Sequence, residues 1–522
     1  MDTSQIAGTI IGVTILVTLC IGCFITSQHE SNRQNFNQND WKIDKMSRPA
    51  LLVRFMNSVG CGCGSNCAYV FLFYLIDKFV VQPALRKSLA QMAKAEEGGK
   101  IPAILCDASA RKKMEQRLDE FKNDIKASQS LTAMSKVLNY AGAGLCLNNH
   151  KGLLKLAEEA NQEKIVEPVF IVSLPRTGTT ILHRTMALDR KKWRSFDMCD
   201  MVLPLPKPVA RADEGSRKEL ANKAQNILSQ ADYIFPGYQA SLETLHGFRA
   251  GEAEEDLGWF DSGLGHMMMD VLMLLYPEQR LKPGNISPLE SKECAKYRYA
   301  WLHMIMQIYQ KVDQDYMNHK STTHSNDEEM GPSGILNNPW LMKDPNHAAY
   351  LPELISQFPD AKIVFTHRPP EDILASMAKL FVVFASVHHK PGAPGTSSKE
   401  WGQESLKRMV HYCNGMASFT KEMEGTDYGY NSDSNSLNRI DLRFINLVRD
   451  VPGAINQIYG QFYPNEPGPS EEAMTKFNAY LEENEREKKG NQKRSLEDFH
   501  LTKDEVESAL LNYNEIFFKD SL

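Results

Sequence analysis

PVFIVSLPRTGTTILHRTMALD, residues 168–189, joins three local signals in one segment. Residues 168–174 form a short continuous apolar run, the pattern of a parallel strand buried on both faces. From Gly178 to Asp189 apolar residues recur at helical spacing, so the segment predicts strand, tight loop, helix. At such a junction the first backbone N–H groups of the helix lack intrahelical partners and point outward beside the positive end of the helix dipole, which favours an anion. Gly178 lets the backbone approach a ligand closely, Thr177, Thr179 and Thr180 add hydroxyl donors, and Arg176 adds a fixed charge with a planar fork of donors. The loop is not a Walker A motif: G-x-x-x-x-G-K-[ST] would need glycine at Ser173 and lysine at Thr179. That counts against an ordinary ATPase or kinase, and a plain strand-to-helix turn containing Gly and Thr is the bland alternative for the loop taken alone.

Working outward, residues 340–343, 362–367 and 439–447 are further strand candidates, each followed by a helical segment. The alternation predicts an α/β fold with a parallel, P-loop-like sheet flanked by helices. In KIVFTHRPPEDILAS (residues 362–376) a strand ends at Thr366-His367-Arg368 and the next helix carries Ser376. A guanidinium at the carboxyl end of a strand and a hydroxyl two helical turns on suit a second phosphate, because ligands of parallel sheets bind at that edge. Two phosphate grips on one sheet imply a doubly phosphorylated nucleotide. Singly, Arg368 reads as a surface cation and Ser376 as an ordinary helix-face residue.

With these motifs assembled, the sequence resembles the sulfotransferase superfamily, in particular the large family carrying P-R-T-G-T-T where the cytosolic enzymes carry P-K-S-G-T-T. The likeness runs from about residue 168 to 511, through SFDMCDMVLPLPKP, EAEEDLGWF, WLMKDPNHAAYLPELISQFPDAKIVFTHRPPEDILAS, RIDLRFINLV and SLEDFHLTKDEV. The resemblance implies sulfuryl transfer from 3′-phosphoadenosine 5′-phosphosulfate (PAPS) without a metal. It also implies Arg176, Thr177, Gly178, Thr179 and Thr180 on the 5′-phosphosulfate, and Arg368 with Ser376 on the 3′-phosphate. Lys488, Lys489 and Gly490 look like the late basic loop that closes over the 3′-phosphate in relatives, although the residues around them match less well.

Sulfuryl transfer resembles phosphoryl transfer, an in-line displacement catalysed by positioning and by cations. Arg176 and Lys343, the latter in LMKDP, are placed to stabilise charge growing on the departing 5′-phosphate. For the base that takes the acceptor's proton, the first choice is His347, because an imidazole suits neutral pH and the family pattern K-x-P-x-H repeats here. A carboxylate, Glu254 or Glu255 in GEAEEDLGWF, is the alternative. Helix capping for His347 and a solvated face for the glutamates are the structural readings of the same residues. Two competing functions stand beside the transferase: a P-loop nucleotide or metabolite kinase, which would need the missing loop lysine, and a non-catalytic membrane-bound nucleotide-binding protein on the same fold.

The remainder of the chain frames this region. Residues 6–25 (IAGTIIGVTILVTLCIGCFI) carry no charge and match the length of a bilayer span, so residues 1–30 are expected to anchor the chain in a membrane. Residues 31–81 form a juxtamembrane region with a weaker second apolar stretch at 59–76, and residues 82–167 an all-helical leader before the catalytic region at 168–522. Helices are expected within 252–276 and 294–312 as a cap, and at 470–489 and 502–518; residues 313–338, 390–399 and 425–438 are expected to be loops. The Met-rich segment 266–276 reads as packing within the cap, and CGCGSNC at 61–67 lacks a partner pair for tetrahedral zinc. Lys+Arg 59 against Asp+Glu 65 gives a net charge of -6 without long single-sign blocks, which does not suggest nucleic acid as a partner. Membrane-held sulfotransferases of the Golgi lumen tilt the expected compartment there. The acceptor stays open among carbohydrate, lipid, sterol and small molecule.

Overall fold

The computed structural model describes residues 73–201, 208–234, 246–262, 291–323, 338–386, 388–390, 392–430, 437–484 and 495–518. The sequence features at 6–25, 61–67, 266–276 and Lys488-Lys489-Gly490 lie outside them. Among the described residues no helix is long and apolar enough to cross a membrane.

Four strands, β1 (Val169–Ser173), β2 (Leu341–Lys343), β3 (Lys362–His367) and β4 (Arg439–Arg443), form a parallel sheet in the order β2-β1-β3-β4. The register sets Ile171 opposite Lys343, Ser173 opposite Thr366 and His367 opposite Arg443, so the carboxyl ends of all four strands share one edge. The helices used below are α1 (Gln82–Gly98), α2 (Ala108–Ala127), α3 (Ala133–Ala160), α4 (Thr179–Ala187), α5 (Lys292–Thr323), α6 (Leu374–Ser386), α7 (Ser398–Glu422), α8 (Phe444–Arg449), α9 (Val451–Phe462) and α10 (Glu471–Glu483).

Successive strand side chains point to opposite faces, and here both faces are covered. Phe170, Val172, Ile363 and Phe365 enter one core together with residues of α1, α2, α3, α5 and α7. Val169, Ile171, Val364 and Ile440 enter the other with α4, α9 and α10. That double burial is why β1 reads as an unbroken apolar run instead of an alternating one. The leader helices therefore share a core with one face of the sheet. His150 of α3 stacks on Trp301 of α5 at 4.9 Å and its Nδ1 pairs with the Ser88 hydroxyl of α1 at 2.7 Å. Burial lowers the His150 pKa to about 3, so the imidazole is held neutral within that layer.

Three expected elements differ. The run expected as one strand over 439–447 turns helical at Phe444, which brings Phe444 and Leu447, three apart, to one side of α8. Residues 252–256 are not helical: Ala253 forms an isolated bridge to Asp197, and helix begins only at Leu257. The loop expected from 313 starts later, because α5 continues to Thr323. Asp313, buried within it, binds Arg194 at 2.8 Å and also pairs with Arg211, so polar residues past the apolar periodicity are still held in helix.

Candidate active site

Three strand ends and the turn after β1 build the site. Gly178, at φ +85°, precedes the first residue of α4, whose N-terminus has no side-chain cap. A Cβ at Gly178 would lie 3.1 Å from Leu447 Cδ2 and 3.4 Å from Phe444 Cδ2, so glycine meets a conformational and a steric demand at once. Arg176, also left-handed at φ +69°, holds a conformation a non-glycine residue adopts at a cost of about 1 kcal/mol. Beneath the turn the Thr366 hydroxyl donates to Thr177 Oγ1 at 2.7 Å, which donates to the Leu174 carbonyl at 2.7 Å. Ser173 Oγ pairs with Thr366 Oγ1 at 2.6 Å. These buried hydroxyls tie the turn to the end of β3 and leave the uncapped first turn of α4 for an anion.

The two expected phosphate grips meet. Arg176 Nε donates to Ser376 Oγ at 3.2 Å, and Arg368 Nη1 donates to the Arg176 carbonyl at 3.2 Å. The Arg368 guanidinium lies 4.4 Å over the ring of Phe444, the first residue of α8. Arg176 and the distant pair Arg368 and Ser376 are one cluster beside Gly178.

Lys343 at the end of β2 completes the other flank. Its side chain is 4% exposed, and Nζ lies 3.3 Å from Thr180 Oγ1 and pairs with Glu255. The loop bearing Glu255 is stitched to β2 by the Asp256 N–H, which donates to the Lys343 carbonyl at 3.2 Å.

Glu254 and Glu255, adjacent in sequence, have different surroundings. Glu254 is buried and binds Arg184 at 2.7 Å and His246 at 3.0 Å. Burial opposes its ionisation, but His246, Arg184 and Lys343 together hold its carboxyl well below the usual carboxylate range. Glu255 is the more exposed of the two, at 23% against 5%.

His347, the first choice for the base from the sequence, stands behind the loop of Glu255. It is buried, with Nε2 3.1 Å from Asp256 Oδ2 and Nδ1 3.2 Å from the Tyr299 hydroxyl, and Phe170 closes on it edge-to-face at 5.2 Å. Both ring nitrogens therefore have a hydrogen-bond partner at rest. Burial acts against its charge, yet Asp256, through charge and hydrogen bond, and Asp344 carry its pKa above the ordinary value. Its contacts brace Asp256, and so the loop of Glu255. Sequence reasoning missed that brace, as well as Thr366, Arg184, His246 and Phe444. Of these only Thr366, a polar residue ending a buried strand, carried a signal in the sequence.

His246, Glu254 and Glu255 bring three potential metal-ligand atoms within 4.8 Å of one another. Arg184 and Lys343 already neutralise the two carboxylates. A cleft of about 460 Å³ opens at the opposite end of α4, lined by Arg190, Arg217 and Lys476 among others, and shares no residue with the turn.

A glycine turn feeds a helix N-terminus, and two arginines and a lysine stand with it at the carboxyl edge of a parallel sheet, the edge at which ligands of such sheets bind. Residues 168–463 match the model of the Sulfotransferase family, more than half of the chain, and the chain belongs to that family. Sulfuryl transfer is the class of chemistry this membership supports. Among solved structures, the sulfotransferase STF9 from Mycobacterium avium is similar at 15% identity with a TM-score of 0.58, over 84% of this chain and 97% of that one. The sulfotransferase STF1 from Mycobacterium tuberculosis H37Rv is similar at 20% identity with a TM-score of 0.52, over 81% and 97%. At these identities the likeness concerns the fold. No curated protein matches the sequence.

Proposed function

We propose that the chain transfers the sulfuryl group of PAPS to a hydroxyl or amine acceptor. The observation that carries this reading is the convergence of Arg176, Arg368 and Ser376, linked at 3.2 Å on one side of Gly178, with Lys343 at Thr180 on the other. In this reading the first turn of α4, Arg176 and Lys343 receive the 5′-phosphosulfate, and Arg368 with Ser376 the 3′-phosphate. Lys488, Lys489 and Gly490 are assigned to closure over the 3′-phosphate. Glu255 is assigned as the base, since Glu254 is locked by Arg184 and His246 and His347 has both nitrogens engaged.

The acceptor oxygen or nitrogen attacks sulfur in line with the bond to the 5′-phosphate. As the new bond forms, the S–O bond to the phosphate breaks and its electron pair stays on the phosphate oxygen. The acceptor's proton passes to the Glu255 carboxylate. Lys343, paired with Glu255 at rest, turns to the leaving oxygen, where cationic stabilisation counts most in a water-poor site. A kinase reading is weaker, because Thr179 stands where the phosphate-binding lysine of a Walker A loop belongs.

The apolar run at 6–25 is the membrane tether in this reading, with the catalytic region in the Golgi lumen, and protease protection in sealed vesicles tests that placement. The test of the activity is isothermal calorimetry of the full chain with adenosine 3′,5′-bisphosphate, paired with transfer of labelled sulfate from PAPS to an acceptor pool. Binding with label transfer is expected. Absence of bisphosphate binding would remove the assignment.

A further inference from the structure

From an apolar cluster that links Ser376 to His246, we infer that the acceptor has an apolar body, held against a patch made by α6 and residue 248. The inference rests on the transferase reading above and names the substrate class of the same site.

Helix α6 carries Ser376, which touches Arg176 of the turn at 3.2 Å. One turn further along the same helix stands Leu380, and on the next Val383 and Phe384, at the three- and four-residue spacing that shares a helix face. These side chains form a small apolar cluster with Phe248, separate from the two cores that cover the sheet. Val383 is buried at its centre, while Leu380, Phe384 and Phe248 stay partly exposed. The rings of Phe248 and Phe384 lie 6.1 Å apart.

The far end of the cluster returns to the chemistry. Phe248 packs on His246 with ring centroids 4.8 Å apart, and His246 Nε2 holds Glu254 at 3.0 Å, next to the proposed base. One side of the patch thus joins the donor-binding cluster through Ser376, and the other joins the base loop through His246. An acceptor reaching Glu255 with its nucleophile brings the rest of its body toward this wall.

Leucine, valine and phenylalanine side chains offer no donor or acceptor to a row of sugar hydroxyls. A carbohydrate there would lose hydration without recovering hydrogen bonds, at a cost. A hydrocarbon or aryl body gains from leaving water in proportion to the area covered. His246, on which Phe248 packs, and Glu254 are already paired with each other.

The experiment uses the full chain, PAPS and a series of para-alkyl phenols from methyl to butyl, with galactose and N-acetylglucosamine as sugar acceptors. KM for the phenols is expected to fall by about fourfold per methylene while the chain lengthens along the wall. The sugars are expected to be poor acceptors. Leu380→Ser and Phe248→Ser should flatten the series, with adenosine 3′,5′-bisphosphate affinity unchanged by calorimetry. A KM independent of chain length in the unaltered protein, or a kcat/KM for either sugar above that of the butyl phenol, overturns the inference while leaving the transferase reading intact. Failure of the unaltered protein to bind the bisphosphate takes down both.

Discussion

Glu254 and Glu255 are adjacent and chemically identical, so exchanging each for glutamine isolates what tertiary placement does. Glu254 accepts from Arg184 at 2.7 Å and His246 at 3.0 Å with only 5% of its side chain exposed. Removing the charge leaves the Arg184 guanidinium, itself 7% exposed, with the carboxylate of Glu252, also at 2.7 Å, and the carbonyls of Gly247 and Ala253. Breaking a buried pair costs roughly 3–5 kcal/mol, and glutamine keeps a hydrogen-bond acceptor, so a loss of about 2–3 kcal/mol is expected for Glu254→Gln. Glu255→Gln should cost about 1 kcal/mol, since the amide oxygen still accepts from Lys343 and the site is partly solvated. Turnover should order the other way: Glu255→Gln removes the proposed base and is expected to slow sulfuryl transfer by about 10²–10⁴. Urea unfolding gives the first ordering, single-turnover transfer of labelled sulfate the second, and bisphosphate calorimetry checks that donor binding survives in both. A Glu255→Gln protein with full turnover, or a Glu254→Gln protein of unchanged stability and no turnover, would refute the division of roles.

Further predictions concern the phosphate cluster and the buried carboxylates. Arg368→Ala should weaken adenosine 3′,5′-bisphosphate by about 1.5–3 kcal/mol, the range for a charged hydrogen bond, and leave adenosine 5′-phosphate nearly unaffected; equal losses by calorimetry would contradict the 3′-phosphate assignment. Gly178→Ala places a side chain at φ +85° and 3.1 Å from Leu447, so about 1–2 kcal/mol of stability and much of the donor affinity should be lost, read by urea unfolding and calorimetry. Asp344 is pushed up to about 7 by burial first and then by Asp256, against an ordinary value of 3.8. The native state therefore holds this proton where the unfolded chain releases it. Stability from this group is full below about pH 4 and is lost as pH rises to about 7, by roughly 4 kcal/mol. Asp344→Asn should flatten that part of a stability-against-pH curve, and an unchanged slope would count against the buried-proton account.

What could be read locally and what could not divides along the range of the interactions. Residues 362–367 were legible as a strand because both sides of β3 are buried, which leaves Ile363, Val364 and Phe365 as consecutive apolar residues at its centre. The leader helices were legible from spacing alone. Phe444 to Leu447 look like strand by composition, since nothing within that segment records that Gly178 waits beside it. Residues 252–256 look helical by charge pattern, but Ala253 bridges to Asp197 and Asp256 binds the end of β2, both distant in sequence.

The amino-acid order by itself determined the parallel α/β sheet, the anion-accepting turn and the identity of the residues that crowd it, because backbone conformation, periodicity and helix-end chemistry act over a few neighbours. Which of those residues are free to react was decided only in three dimensions. Whether a carboxylate or imidazole keeps an open lone pair depends on partners such as Arg184, His246 and Tyr299 that close packing delivers from elsewhere in the chain.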